Sequence, residues 1–265
     1  MCGCREESDQ LPLEVMSRFT PKLLIETFNK MSKVFITFGA GSQGYLAAVA
    51  RLTDQVAQLG LFDRIIGFTD KDLKADQEFW TKHGPFIEQN KRGYGYWIWK
   101  PYLIEKTMKT MVDGDLLLYL DAGCEIDARK RPEMEKAFEI AKRDLILGTW
   151  TQREGAWTKM DVVHKLDARD TRYLNTGQRQ STANLFLVER RTRSLVSKWY
   201  ELACDYHMID DSPSKIPNTP DFREHRHDQS LFSLLSKKAN LYSIRNTLHM
   251  AVATSRNRTG QTKII

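Results

Sequence analysis

Five apolar residues in unbroken succession, Leu116 to Leu120, stand between the polar sequences DGD and DAGCE. A strand with one face in water alternates polar and apolar residues. An unbroken run of this kind therefore predicts a strand covered on both faces, as parallel strands in α/β proteins are. Upstream, KVFITF from Lys33 is a β-branched apolar run that breaks off into GAGSQG. After it, Tyr45, Val49, Leu52, Val56 and Leu59 recur three and four residues apart, the spacing of a helix laid on a sheet, and Gly60 stops it. A second run, Arg64 to Phe68, ends at Thr69-Asp70 and leads into a polar helical stretch containing Phe79 and Trp80. Strand, helix and strand in this rhythm predict an α/β fold with a mixed, mainly parallel central sheet flanked by helices.

Further on, the pattern predicts a helix opened by Pro101 and running through Met111, a helix over 132–142, strands near 145–147 and over 183–188, and helices over 191–205 and 228–237. Residues 209–222, with three prolines and little periodicity, read as a flexible connection. At 265 residues the chain sits at the upper end of single-domain size. The expected organisation is an N-terminal extension over residues 1–30, of mixed charge with Pro12 and Pro21, followed by one domain over 31–265.

Composition excludes several classes. The longest apolar runs fall far short of the roughly 20 residues of a membrane span, and MCGCREESDQ lacks the basic and apolar regions of a secretory signal. Cysteines at 2, 4, 124 and 204 make neither a dense disulfide framework nor a C-x-x-C metal pair, which suits a reducing cytoplasm. Cys2 and Cys4 read as free thiols, S-acylation with peripheral membrane contact being the alternative. The net charge is +6, but Lys and Arg are scattered among acids with no nucleic-acid module, so a small polyanionic substrate is expected rather than nucleic acid.

Three stretches carry candidate chemistry. GAGSQG at 39–44 follows a strand and precedes a helix, the context of a dinucleotide-binding turn, with Asp70 at the end of the next strand. A tight turn where strand meets helix explains the glycines equally well. Asp121 ends the buried strand, where ligands of open α/β sheets gather, and its carboxylate suits Mg²⁺ or Mn²⁺; capping the following turn is the alternative role. EHRHDQS at 224–230 places Asp228 at or near a helix N-cap, with His225 and His227 on one side of an extended segment. Between them, residues 91–100 mix glycines with Tyr94, Tyr96, Trp97 and Trp99 ahead of Lys100.

An aromatic, Lys-containing helix, then a strand reading YLDA, then STANLFLVERR at 181–191 and HDQSLFSLL at 227–235, resembles GT-A fold glycosyltransferases, particularly the glycogenin and lipopolysaccharide galactosyltransferase group. FITFGAGSQ, GYGYWIWKPYLI, YLDAGCEI and EHRHDQS, spread over residues 33–240, resemble uncharacterised glycosyltransferase-like proteins of bacterial polysaccharide loci and large DNA viruses. The resemblance implies a single GT-A (Rossmann-like) domain. It also implies transfer of a hexose from a nucleotide-sugar donor, a UDP-sugar foremost, to a saccharide or other hydroxyl acceptor, leaning to retention of anomeric configuration.

The implied donor site comprises Thr37, Phe38, Gly39 and Asp70 at the ends of the first two strands, Tyr96 and Lys100, and Asp121, Ala122 and Gly123 of the D-x-D position. Asp228 would lie beside the anomeric carbon as stabiliser or base, Gln229 would bond sugar hydroxyls, and Lys100 would assist departure of the diphosphate. Trp157, Lys159, Met160 and Asp161 would face the acceptor.

One departure stands out, because the second acid of D-x-D is Gly123. A divalent cation, Mn²⁺ or Mg²⁺, would then need Asp121 with Glu125 or Asp127 and His227. A metal-independent site would instead neutralise the diphosphate with Lys100, Arg92 and Arg226. Two other readings stay open: a nicotinamide-dependent oxidoreductase using GAGSQG, and a non-catalytic sugar-nucleotide-binding protein.

Overall fold

The computed structural model describes residues 31–243 and 248–264. The N-terminal extension expected over residues 1–30, with Cys2 and Cys4, lies outside the described residues. β1 (Lys33–Gly39), α1 (Gln43–Leu59) and β2 (Arg64–Thr69) form a βαβ unit whose strands pair in parallel from Val34–Arg64 to Gly39–Thr69. The Ser42 hydroxyl caps α1 by accepting from the Tyr45 amide, and Gly60 ends it in the left-handed conformation that only glycine adopts without strain.

Next come α2 (Asp70–Ala75), α3 (Gln77–Gln89), α4 (Trp99–Met108) and β3 (Leu116–Leu120). After β3 follow β4 (Glu125–Ile126), α5 (Arg131–Asp144), β5 (Ile146–Leu147), β6 (Trp150–Arg153), α6 (Met160–Lys165) and β7 (Gly177–Arg179). β8 (Ala183–Leu187), α7 (Arg190–Ala203), α8 (His227–Ala239), β9 (Tyr242–Ser243) and β10 (Val252–Ala253) complete the elements used below.

The main sheet has the order β2-β1-β3-β8-β5-β9. β1 pairs in parallel with β2 and β3, and β5 with β9, whereas β8 runs antiparallel to both β3 and β5. The sheet is thus mixed and mainly parallel, with a reversed strand beside its centre. β3 is buried along its whole length, as its composition demands. Side chains alternate across it. Leu117 and Tyr119 join Ile36, Phe38 and Phe186 in the core beneath α4, α7 and α8, where Trp199 and Phe232 lie 4.9 Å apart. On the other side Phe35, Phe62 and Phe138 meet edge to face, packing α5 against the sheet.

Two expectations differ from the outcome. α4 begins at Trp99, two residues before Pro101, and ends at Met108; proline is tolerated there because the first-turn amides of a helix have no intrahelical acceptor. Residues 209–222, expected to be a flexible connection, are anchored by polar contacts instead. Asp161 accepts from the Lys215 amide and the Ser214 hydroxyl, the Lys159 ammonium lies 2.9 Å from Asp210, and the Met160 amide donates to Asn218. Proline-rich sequence lacks periodicity, but buried side chains elsewhere can still hold it. Among the described residues no helix is long and apolar enough to cross a membrane, and Cys124 and Cys204 are free thiols.

Candidate active site

The C-terminal end of β3, the first turn of α4 and the first turn of α8 meet at one buried cation. Lys100 Nζ lies 3.0 Å from Asp121 Oδ1 and 3.5 Å from Asp228 Oδ2. It also donates to the Ser181 hydroxyl at 3.2 Å, and that hydroxyl donates to Asp228 Oδ2 at 2.9 Å. The Tyr119 hydroxyl donates to Asp121 Oδ1 at 2.5 Å, and the Trp199 indole donates to the Asp228 carbonyl at 2.9 Å. Lys100 and Asp228 are almost wholly buried, while the Asp121 side chain keeps 32% of its surface exposed. Asp121 is therefore the member of the triad open to a ligand.

Two carboxylates sharing one ammonium do not balance. Burial works against the Lys100 ammonium, but Asp121 and Asp228 outweigh it and hold its pKa above the usual lysine value. Burial pushes Asp228 up to about 6, against the opposing pull of Lys100 and of the Ser181 hydroxyl. Asp121, at the shorter distance, has the larger share of the ammonium. Tyr119 is driven well above 10 by burial and by Asp121, so it stays a proton donor.

Beside Asp228, Gln229 Oε1 accepts from the Ser181 amide and its Nε2 donates to Gln178 Oε1 at 2.6 Å. Gln178 in turn donates to Glu154, a wholly buried carboxylate that also takes Thr158 Oγ1 and the Lys237 ammonium. This polar network fixes the side of the site formed by β7 and α8.

Opposite lies an unusual backbone. Gly93, Tyr94, Gly95, Tyr96 and Trp97 all have φ between 50° and 82°, a left-handed turn in which three residues carry side chains. Each non-glycine residue costs about 1–2 kcal/mol there, so surrounding contacts must hold it. Tyr94 packs 5.9 Å from Phe38, the Trp99 indole donates to the Gly93 carbonyl, and Tyr96 and Trp97 stack on His227 at 5.2 and 5.1 Å. His227 Nδ1 donates to the Ile209 carbonyl, leaving a buried Nε2 with no hydrogen-bond partner. Burial lowers its pKa to about 4. His225 is buried and uses both ring nitrogens, towards the Met208 carbonyl and the Lys159 amide, with its pKa lowered by burial to about 3.

The C-terminal segment closes the remaining side. β10 pairs antiparallel with β4, which brings residues 254–263 back across the DAG turn. The Asn257 amide donates to the Gly123 carbonyl at 2.9 Å, and Arg51 donates to the carbonyls of Ala122, Asn257 and Thr259. A Cβ on Gly123 would stand 3.2 Å from Arg256 Cα, and one on Gly44 would stand 2.7 Å from the Arg258 carbonyl oxygen. The last glycine of GAGSQG thus serves the docking of the chain's own C-terminal segment on α1. Gly44 therefore has a packing role within the chain.

Several expected site residues take other roles. Glu125 is wholly buried, 3.1 Å from Arg51, and accepts from the Lys263 amide and the Ser255 hydroxyl. It does not join Asp121, because four residues on the chain has turned into β4 and towards α1. The set Asp121, Glu125 and His227 is therefore not brought to a common ion. Asp127 caps the following turn and pairs with Arg129. Among the described residues no three His, Cys, Asp or Glu side chains form a group able to hold a metal. With Gly123 contributing no donor and one Asp121 oxygen engaged by Lys100 and Tyr119, the side chains present do not fit a divalent cation.

Thr37 is wholly buried with no partner for its hydroxyl, and Phe38 is covered by Trp99 at 4.0 Å. A Cβ on Gly39 would strike α1 at the Tyr45 carbonyl, and Asp70 starts α2 and pairs with Lys74. Lys100 is engaged by carboxylates rather than standing free for phosphate. Lys159 and Asp161 anchor residues 207–218 instead of facing outward. Sequence reasoning missed Tyr119, Ser181 and the whole segment 252–263; its only signal was the pair Arg256 and Arg258, which local pattern cannot assign.

No family model matches the chain, and no curated protein does. Among solved structures, the apo form of mouse xyloside xylosyltransferase 1 is similar with a TM-score of 0.43 and 13% identity, over 81% of this chain and 85% of that one. Galactosyltransferase LgtC in complex with donor and acceptor sugar analogues is similar with a TM-score of 0.43 and 14% identity, over 87% of this chain and 84% of that one.

Proposed function

We propose that this chain is a glycosyltransferase that moves a sugar from a nucleotide-sugar donor, a UDP-hexose foremost, to a hydroxyl acceptor. The observation that carries the reading is the convergence of Asp121 and Asp228 on Lys100: a half-open carboxylate at a strand end beside a buried carboxylate of raised pKa. Such a pair suits a reaction in which positive character develops at a sugar carbon over Asp121, with Asp228 buried behind Lys100. The sequence resemblance to GT-A glycosyltransferases points the same way.

In the proposed reaction the bond between the anomeric carbon and the diphosphate oxygen breaks, and the acceptor oxygen bonds to that carbon. The departing diphosphate oxygen takes the electron pair and accepts the proton released by the acceptor hydroxyl. Asp121 orients the donor, with its own position held by Tyr119 and Lys100. Above about pH 6 Asp228 is ionised, and its negative charge acts on the oxocarbenium-like centre from the buried side of the site, behind Lys100. Gln229, held by the Ser181 amide and Gln178, bonds sugar hydroxyls in this reading through its remaining amide hydrogen.

The test is nucleotide release from a panel of UDP-, GDP- and ADP-sugars with simple saccharide acceptors, run in EDTA and with Mn²⁺. Release from one donor, abolished in Asp228→Asn and weakened at least tenfold in Asp121→Asn, is the expected result. Absence of binding and of turnover with every donor would sink the reading.

A further inference from the structure

β6 and β7 form a two-stranded ribbon apart from the main sheet, and its two faces differ. Gln178 turns to one side, donating to Glu154, Thr158 and Ser230. Successive residues of a strand point to opposite faces, so Arg179 turns to the other. There it lies directly opposite Trp150 in the antiparallel register. Residues so opposed share a face, with Cβ atoms about 5 Å apart. Trp150 is 51% exposed, and its ring lies over Gly177, where a Cβ would meet Trp150 Cδ1 at 2.7 Å. A single exposed tryptophan needs no explanation. Its neighbour does.

The Arg179 guanidinium lies 4.7 Å from the centre of the Tyr242 ring, and its Nη1 is buried with no hydrogen-bond partner among the described residues. Tyr242 offers only its ring face, because its hydroxyl donates to the Thr149 carbonyl at 2.6 Å. The buried acid on the Gln178 side, Glu154, is already matched by Lys237 at 2.7 Å and bonded by Thr158 and Gln178. Arg179 therefore keeps one uncompensated positive charge. Buried donors are nearly always paired in native folds, so an unpaired one calls for a ligand. The residue as a whole stays partly exposed on the Trp150 face.

Two residues further on is Ser181, whose hydroxyl bonds Lys100 and Asp228. The reach of the chain keeps Arg179 Cα within about 7 Å of Ser181 Cα. The ribbon thus borders the candidate active site on the side of β7.

We propose that Trp150 and Arg179 form a platform for a sugar ring bearing a carboxylate, and that the acceptor of the transfer is an acidic saccharide. The flat indole covers the C–H face of a pyranose. The guanidinium takes a carboxylate through two parallel N–H bonds. One uncompensated charge matches one carboxylate, whereas a phosphate monoester brings nearly two. The acceptor role rests on the transferase reading, but the binding does not.

The experiment is calorimetric titration of the full chain with a galacturonate disaccharide, the uncharged galactose disaccharide and a sulfated galactose disaccharide. The galacturonate disaccharide should bind at least tenfold more tightly than the other two. Arg179→Gln should erase that preference, and Arg179→Lys, which keeps the charge but not the fork, should lower it. Trp150→Ala should weaken all binding at least fivefold with an unchanged unfolding midpoint, since the ring is exposed. Lys198→Gln, whose ammonium pairs with Glu201 on α7, should change nothing and so controls for a general charge effect. No preference for the galacturonate over the uncharged disaccharide in the wild type overturns the platform, as does a preference that survives Arg179→Gln. Equal binding of the sulfated sugar overturns the carboxylate assignment. Binding with the expected dependence on residues 150 and 179, but no transfer to the galacturonate disaccharide from any nucleotide sugar, retains the platform and removes the acceptor role alone.

Discussion

Lys100 Nζ stands 3.0 Å from Asp121 Oδ1 with its own side chain 2% exposed, so the ammonium is sealed behind the carboxylate that faces solvent. The order matters. A ligand reaching the end of β3 meets Asp121 first, and Lys100 acts on it only through the two carboxylates it holds apart.

Lys100→Met should destabilise the fold by about 3–5 kcal/mol, the range for breaking a buried pair by removing one partner. Asp121 and Asp228 would then face each other with no cation between them, and the pKa of Asp228 would rise further. Urea denaturation measures the loss, and a change below about 1 kcal/mol would contradict the arrangement.

The pH dependence follows from Asp228. Its pKa in the fold, about 6, lies above the ordinary carboxylate value, so the fold favours the protonated form. Its contribution to stability is complete below the ordinary pKa and is lost as pH rises through 6, in all about 3 kcal/mol for a shift of roughly two units. Activity should run the other way, falling with unit slope below about pH 6 as the carboxylate takes a proton. Both proteins share a slope from the buried His225 and His227, whose lowered pKa values cost stability as pH falls, so the difference in stability between the wild type and Asp228→Asn from pH 4 to 7 should isolate the Asp228 contribution.

Gly123→Asp rebuilds the D-x-D sequence but places a Cβ 3.2 Å from Arg256 Cα and 3.3 Å from its carbonyl carbon. Overpacking of this kind costs about 1–3 kcal/mol. The variant should be less stable and should not acquire Mn²⁺-dependent donor binding, since the C-terminal segment and not a vacant pocket lies over residue 123. Mn²⁺ titration beside thermal unfolding checks both halves.

Arg51→Met removes the cation from Glu125 and three hydrogen bonds that tie residues 122, 257 and 259 together. A loss of about 3–5 kcal/mol is expected. Limited proteolysis should then cut within residues 254–264, whereas the wild type resists there.

Much of the fold was legible because its signals are local. Tyr45 to Leu59 repeats with helical spacing and became α1; Leu116 to Leu120 is apolar throughout and became β3, covered on both faces. The direction of β8 was not legible, since ANLFL reads the same whichever way its neighbours run. β4 and β10 have two residues each, too few for any periodicity. The left-handed turn at 93–97 was hinted at by Gly93 and Gly95, but nothing in Tyr94, Tyr96 or Trp97 announces positive φ.

The sequence by itself determined the α/β class, the strand that delivers Asp121 and the helix that delivers Asp228, because hydrophobic period acts between residues a few positions apart; the cap expected at or near Asp228 is instead Arg226, with no side-chain cap bond. Only the tertiary structure decided that Lys100 would neutralise both carboxylates, that Glu125 would turn away to Arg51, and that Arg256 would stand against Gly123. Those are meetings between residues tens to more than a hundred positions apart. Charge pairing and close packing are settled by distance in space, which no local pattern encodes.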